Sequence, residues 1–136
     1  MASTLRLQIV TPKGTAYSDD VEMVIVPGVE GQFGVLPHHL RLMTQMIPGE
    51  LLVRKKGKDS YVAVGGGLVE VTGKRVLIAT DMAIAAENVD EAKAEEARQR
   101  AAARLREKIS SQEVASVNAA LARSLAQLKV KRRRHV

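Results

Sequence analysis

The chain has 136 residues, no cysteine and a formal net charge of +6 at pH 7. This length suits one domain, or one small domain with an appendage, and no apolar run approaches the roughly 20 residues that a membrane-spanning helix needs. The lack of cysteine excludes a disulfide framework and thiol chemistry and fits a reducing compartment, and no N-terminal signal pattern is present.

The composition divides the chain into two parts. All 10 glycines and all 4 prolines lie at or before Gly73. Up to Glu87 there are 9 Lys and Arg against 9 Asp and Glu, whereas residues 88–136 carry 12 against 6. Because the whole net charge belongs to the second part, we predict two units with different roles, residues 1–87 and residues 88–136. The hydrophobic periodicities predict a β domain for the first and a two-helix domain for the second.

The first part has the pattern of short strands separated by turns. Leu5, Leu7 and Ile9 alternate with polar residues, which predicts a half-buried strand at Thr4–Val10. Turn signals bound further predicted strands, at Val21–Val26, Glu50–Lys56, Ser60–Val64, Gly67–Val71, Arg75–Thr80 and Met82–Ala85, with two or three more inside Val24–Arg54. Many short strands at such spacing indicate an antiparallel β-sandwich or barrel.

Three consecutive glycines occupy positions 65–67. A phosphate-binding loop of the P-loop type needs a following Lys-Ser/Thr pair and the start of a helix, and the sequence lacks both here. We therefore expect a bulge or a close approach between strands at this position.

The hydrophobic period changes after Glu87. Asn88 is predicted to cap a helix over Val89–Ile109, with Glu91 completing a capping box. After a break at residues 110–113, apolar residues recur at helical steps, at Val114, Val117, Leu121, Leu125 and Leu128. Two helices with a short connection should pack antiparallel. Because alanines dominate the first helix and bury little area, this helical hairpin is expected to be the less stable half.

Three segments carry a family resemblance: G-x-x-G-Q-F-G-V-L-P-x-H at residues 28–39, VGGGLVEV at 64–71 and VDEAKA at 89–94. In this order and spacing, nearly the whole chain resembles the epsilon subunit of bacterial and chloroplast F-type ATP synthases. The resemblance implies a mainly β plus α fold, in which an N-terminal antiparallel β-sandwich precedes a C-terminal antiparallel helical hairpin that changes conformation.

The same resemblance implies a function. The chain would be a non-catalytic rotor subunit of the central stalk in a proton-translocating ATP synthase, peripheral on the cytoplasmic face of the bacterial inner membrane. It would couple the c-ring and the gamma subunit to ATP synthesis and inhibit ATP hydrolysis through its C-terminal helices. From the residues alone, no nucleophile–base–acid grouping occurs, so an independent enzyme is not expected.

The resemblance implies a contact with the c-ring and gamma at Gln32, Pro37, His38 and His39. Many family members carry an acidic residue at the position of Gln32. Independently, neighbouring histidines on an extended segment point to opposite sides, and no further Cys or His stands nearby to complete a metal or general-base site. A surface role for this histidine pair is therefore favoured.

The VDEAKA segment resembles the family's nucleotide-binding motif, Ile/Leu-Asp-x-x-Arg-Ala. The implied ligands are Asp90 and Lys93, with Arg100 and Arg123 nearby. Lys93 stands where arginine is usual, and Gln127 stands where strong binders have arginine; lysine cannot offer a planar, bidentate fork. We expect no required cofactor and at most weak ATP binding. The alternative is that Asp90 stabilises a helix N-terminus and the arginines form a solvated face.

The sequence ends in a basic tail, whose cations are Lys129, Lys131, Arg132, Arg133 and Arg134. The resemblance implies that this tail meets an acidic loop of the beta subunits in the catalytic head and brakes ATP hydrolysis. From charge alone, the alternative is a basic adaptor that binds nucleic acid or a membrane surface. Nucleic acid is disfavoured as a partner, because the second half has no aromatic residue for base stacking and no recognised nucleic-acid-binding motif.

Overall fold

The computed structural model describes residues 3–39 and 41–133, and over these ranges ten strands precede two helices. The strands are β1 (Leu5–Thr11), β2 (Gly14–Val21), β3 (Met23–Gly28), β4 (Gly31–Val35), β5 (Leu42–Met46), β6 (Gly49–Lys55), β7 (Lys58–Val64), β8 (Gly67–Thr72), β9 (Arg75–Thr80) and β10 (Ala83–Ala85). A 3-10 turn at Ala86–Asn88 leads to α1 (Glu91–Leu105) and α2 (Ser111–Arg133). Within the described ranges, neither helix has the length and apolar character required to span a bilayer.

The described strands form one hydrogen-bonded sheet that curls around a common core. The strand order is β10-β7-β6-β3-β5-β8-β9-β1-β2, with β4 added beside β3. Neighbours run antiparallel, except that β1 and β9 run parallel. Alternate side chains point inward, and Leu7, Ile9, Leu51 and Ile78 are fully buried in one aliphatic cluster. This confirms the predicted fold, a β-sandwich followed by a pair of helices.

The sequence pattern did not predict β2. Its residues, GTAYSDDV, are mostly polar and exposed, because β2 ends the strand order and forms an edge of the sheet. The predicted strand at Val21–Val26 instead spans the end of β2 and the first part of β3, on either side of Glu22. An edge strand with little burial lacks the apolar alternation on which such a prediction depends.

The glycine run at residues 65–67 lies where strands approach closely. A Cβ added to Gly67 would stand 1.9 Å from the carbonyl oxygen of Ala79 on β9. One added to Gly65 would stand 1.8 Å from Oδ1 of Asp81. A hydrogen is the largest group that fits facing the Ala79 carbonyl, which confirms the predicted close approach of strands.

Helix α1 begins with a different cap from the one predicted. Asp90 is the N-cap, and its Oδ1 accepts the Lys93 N–H at 3.1 Å. Asn88 belongs to the preceding 3-10 turn, so the predicted capping box with Glu91 is wrong. A break separates the helices, but it lies at residues 106–110 and not at the predicted 110–113, because α1 already ends at Leu105. The predicted new cap is present: the Ser110 hydroxyl accepts a backbone N–H from the first turn of α2 at 3.1 Å.

Helix α2 packs against both α1 and the sandwich. Leu128 is buried as predicted, but Val114 and Leu125 are 37% and 47% exposed. Val130 is fully buried, and α2 contacts β6 and β7 as well as α1. The predicted stripe assumed one neighbouring helix. Contact with the sheet rotates the buried face of the C-terminal half toward Ala126 and Val130.

Candidate functional site

The loop after β4 presents Pro37 and His38 at one end of the sandwich. His38 has φ +69°, in the left-handed region, and its N–H donates to the Gly73 carbonyl at 2.9 Å. The His39 N–H donates to the Leu36 carbonyl at 3.2 Å, and Leu36 is 58% exposed. These backbone hydrogen bonds hold the loop against the turn between β8 and β9, so it presents a defined surface.

Gln32 does not join that loop. It is the second residue of β4 and pairs with Pro27, so it lies at the opposite end of this strand from Pro37. At about 3.3 Å per strand residue, the two are roughly 16 Å apart. Exposed Val29 and Ile47 lie at the Gln32 end, where the Ile47 N–H donates to the Pro27 carbonyl at 2.9 Å. The four predicted contact residues therefore belong to two separate surfaces.

An apolar surface on β5, β8 and β9 is not part of the sequence prediction. Met43 and Leu68 are 65% and 52% exposed. Strand register places Met43 across from Glu70 and Glu70 across from Leu77, and places Leu68 across from Ala79. We call Met43, Leu68, Leu77 and Ala79 the outer apolar face; they line a shallow cavity of about 150 Å³. The available signal was that Leu68 and Leu77 occupy outward positions of their strands, where polar residues are usual.

The implied nucleotide ligands on α1 make ordinary helical contacts. Asp90 caps the helix, which is the alternative that the sequence left open for it. Lys93 is exposed one turn later, and Arg100 pairs with Glu96 at 3.1 Å on the exposed surface of the helix. Among the described residues, no three His, Cys, Asp or Glu side chains are placed to hold a metal ion.

The two positions on α2 face the connection between β9 and β10. Arg123 approaches the Asp81 carboxylate at 3.5 Å. One turn later, the Gln127 side-chain amide donates to the Met82 sulfur at 3.1 Å. These contacts join α2 to the sandwich, and they engage the side chains that a phosphate would need.

The basic end of α2 lies against acidic groups of the chain itself. Arg132 contacts Glu91 at 3.2 Å and Glu95 at 3.5 Å on α1. Arg133 donates to Glu50 on β6 at 2.6 Å. Of the other predicted tail residues, Lys129 is exposed and Lys131 half-buried, while Arg134 lies outside the described residues. Carboxylates of the chain itself therefore surround Arg132 and Arg133 in this arrangement.

Glu95 is held in its charged form by its neighbours. Hydrogen bonding from Arg98 is the main cause that lowers the pKa of Glu95 to about 2, with Gln99 and Arg132 adding to the effect. Because the folded-state pKa lies below the ordinary value of 4.5, the stability that Glu95 contributes is present above that pH and is lost as pH falls toward 2. At neutral pH, α1 therefore offers Arg132 an ionised partner.

Both parts of the chain match known families. Residues 4–86 match the ATP synthase delta/epsilon chain β-sandwich domain, and residues 87–132 match the delta/epsilon chain long α-helix domain. The fold and its domain order are thus those of the delta/epsilon class of ATP synthase subunits.

Individual relatives identify the type of subunit within this class. The ATP synthase epsilon chain of Desulforamulus reducens is 39% identical over 129 residues, covering 95% of this chain and 98% of that protein. The epsilon chain of Dehalococcoides mccartyi strain CBDB1 is 40% identical over 134 residues, covering 96% of each. This chain belongs to the ATP synthase epsilon chain family.

Solved structures share the fold at lower identity. A chain of the mitochondrial ATP synthase of Euglena gracilis, solved with OSCP, F1 and c-ring, superposes with a TM-score of 0.77 at 24% identity, covering 93% of this chain and 79% of that one. A chain from the central stalk and c-ring of the Tetrahymena thermophila enzyme gives 0.64 at 12% identity, with 98% of each covered. The β-sandwich and helical pair therefore persist where little sequence identity remains.

Proposed function

We propose that this chain is a non-catalytic rotor subunit of a proton-translocating F-type ATP synthase. Its sandwich joins the gamma subunit to the c-ring, and its helical pair restrains ATP hydrolysis by the catalytic head. It works as a peripheral subunit on the cytoplasmic face of the bacterial inner membrane. Family membership over both parts of the chain carries the proposal, and the surfaces described above supply candidate contacts.

The outer apolar face is our candidate for the gamma contact. Its side chains lie on three neighbouring strands around Glu70, which register places between Met43 and Leu77. Exposed apolar patches of this kind mark protein-binding sites. The Pro37–His39 loop lies beside the turn between β8 and β9 and extends this contact. The Gln32 end, with exposed Val29 and Ile47, is our candidate for the c-ring contact. Gln32 itself is uncharged, and Glu30 is the exposed carboxylate of this turn.

A double substitution tests the gamma contact. Met43→Asp with Leu68→Asp should weaken binding to the gamma subunit of the same enzyme by roughly 100-fold or more, since each buried apolar side chain contributes about 1.5–3 kcal/mol. Calorimetric titration with purified gamma measures this. The matched control is Thr15→Asp with Ala16→Asp, which adds the same charge on the exposed edge strand β2 and should leave binding unchanged.

Unchanged gamma affinity in the Met43/Leu68 variant would remove the outer apolar face from the proposal. If the chain from cell extracts travelled with nucleic acid or lipid and not with gamma and the catalytic head, the basic adaptor would replace the rotor subunit as the better account.

The brake is assigned to the C-terminal helices. Residues 88–136 carry the whole net charge of the chain, and the described part of the tail presents Lys129 at the surface. An acidic loop of the beta subunits is a complementary target for such an end. The helical pair reaches that target by leaving the sandwich, because the basic end is engaged by internal carboxylates in the folded-down arrangement.

ATP binding by the isolated chain should be weak or undetectable, because Lys93 and Gln127 replace fork-shaped donors and Arg123 contacts Asp81. Lys93→Arg should strengthen any ATP affinity by roughly tenfold, the effect of one better charged hydrogen bond. Isothermal calorimetry with ATP measures both. Lys108→Arg, beyond the end of α1, is the matched control and should change nothing. Tight binding by the unmodified chain would contradict this interpretation.

A further inference from the structure

One carboxylate of the sandwich lies beneath the end of α2. The Glu50 side chain on β6 is only 7% exposed, and it accepts a hydrogen bond from Nε of Arg133 at 2.6 Å. Its partner is 83 residues away in sequence. A buried carboxylate is strongly disfavoured without a cation or donors, so this pair depends on α2 lying against the sandwich.

Two further contacts surround this pair. The Arg133 guanidinium stands 5.0 Å from the centre of the Tyr61 ring, within the range of a cation–π interaction. Val130, one turn earlier on the same side of α2, is fully buried in a cluster with Ala63 and Ala86 on the outside of the sandwich. The ion pair, the ring contact and the apolar contact therefore all hold the C-terminal end of α2 against β6 and β7.

The neighbouring residue holds the other side of the helix end. Arg132 points toward α1 and contacts Glu91 and Glu95. Two consecutive arginines of the basic end are thus bound by carboxylates on two different elements. In this arrangement an acidic surface of another protein has to compete with internal carboxylates for both guanidinium groups.

We propose that Glu50, Tyr61 and Arg133 form a latch that keeps the helical pair on the sandwich and withholds the basic end of α2 from its target. The latch needs no other subunit to close, because all three of its residues belong to this chain. Its regulatory consequence rests on the proposed brake: internal carboxylates compete with the acidic partner for the same arginines, so a weaker latch gives a stronger brake. Glu50 sets this balance, because it belongs to the latch and not to the surface that the partner meets.

The absence of cysteine offers a direct measurement of opening in the full chain. Ala63→Cys places the sole thiol under Val130, where it reacts with a thiol reagent only when the helical pair lifts. Val64→Cys places the thiol in the sandwich core, where it reacts only when the sandwich unfolds. The ratio of the two labelling rates separates opening of the latch from loss of the fold.

Glu50→Gln should raise the labelling rate at Ala63→Cys by roughly 10- to 100-fold, the range expected for loss of a hydrogen bond between charged groups, and should leave the rate at Val64→Cys unchanged. Arg133→Gln should do the same, and the double variant should be no more open than either single one. Glu70→Gln removes an exposed carboxylate from the outer surface of β8 and is the matched control. Labelling at Ala63→Cys that stays slow in both single variants would overturn the latch.

ATP hydrolysis measured in the assembled enzyme distinguishes the effect of the latch from that of the brake. Glu50→Gln should deepen inhibition of ATP hydrolysis, because it frees Arg133 and lets the helical pair lift, whereas Arg133→Gln should relieve it, because it removes a cation that the brake uses. The opposite signs are the signature of the proposal, since a merely destabilised fold would move both variants in one direction. Faster labelling without any change in hydrolysis would leave the mechanical latch standing and overturn its regulatory role together with the proposed brake.

Discussion

Gly67→Ala should lower the free energy of unfolding of the sandwich by about 3 kcal/mol or more, at the upper end of the cost of overpacking a core. The added methyl group would stand 1.9 Å from the Ala79 carbonyl oxygen, and it would also crowd Thr80 Cα at 3.0 Å. Both obstacles are backbone atoms of β9, which cannot rotate away as a side chain can. Relief requires β8 and β9 to separate, at the cost of their hydrogen bonds.

Equilibrium unfolding in urea measures this change. Gly34→Ala is the matched control, because nothing lies within 4 Å of its added Cβ and it also belongs to a strand. That control should be neutral or slightly stabilising, since alanine restricts the unfolded chain more than glycine does. A Gly67→Ala protein as stable as the Gly34→Ala protein would show that β8 and β9 are not packed as described.

Reversing the basic end should release the brake. Replacing Arg132, Arg133 and Arg134 with glutamate should weaken inhibition of ATP hydrolysis in the assembled enzyme by roughly 3- to 150-fold, since each exposed ion pair contributes about 0.2–1 kcal/mol. Assembly should stay intact, because the outer apolar face is untouched. The inhibition by the unmodified chain should also relax as ionic strength rises, since salt screens partly exposed charges.

The same three positions provide the control for charge. Replacing these arginines with lysine keeps every positive charge and should retain most of the inhibition. The glutamate variant also breaks the latch, and opening alone should deepen inhibition, so relief of inhibition reports the loss of the cations. Hydrolysis that stays inhibited in the glutamate variant at low salt would mean that the tail is a solvated end and takes no part in braking.

Local patterns predicted the elements that have clear periodicity. The alternation of Leu5, Leu7 and Ile9 predicted β1, and turn residues located the strands on either side of residues 56–57 and 73–74. The edge strand β2 was not predicted, because it is polar and buries little surface. The helix cap was misplaced by two residues because Asn88 and Asp90 are both good caps, and the choice depends on the 3-10 turn that follows β10.

The contacts that matter for the site are non-local, and this is why the sequence did not predict them. Nothing near Glu50 in the sequence indicates that Arg133 covers it. Likewise, the outer apolar face forms only when register brings Met43, Leu68 and Leu77 into adjacent rows. The sequence did predict that α2 is helical and basic. It did not predict which side meets the sheet, because the helix has two apolar stripes and two neighbours.

The division of labour between sandwich and helices is the central claim, and one hydrolysis assay tests it. The catalytic head with gamma from the same enzyme is mixed, at low salt, with the full chain, with a fragment ending at Glu87, or with neither. We predict that both the full chain and the fragment bind gamma, and that the full chain alone lowers ATP hydrolysis. Equal inhibition by the fragment, or no inhibition by the full chain, would contradict this account.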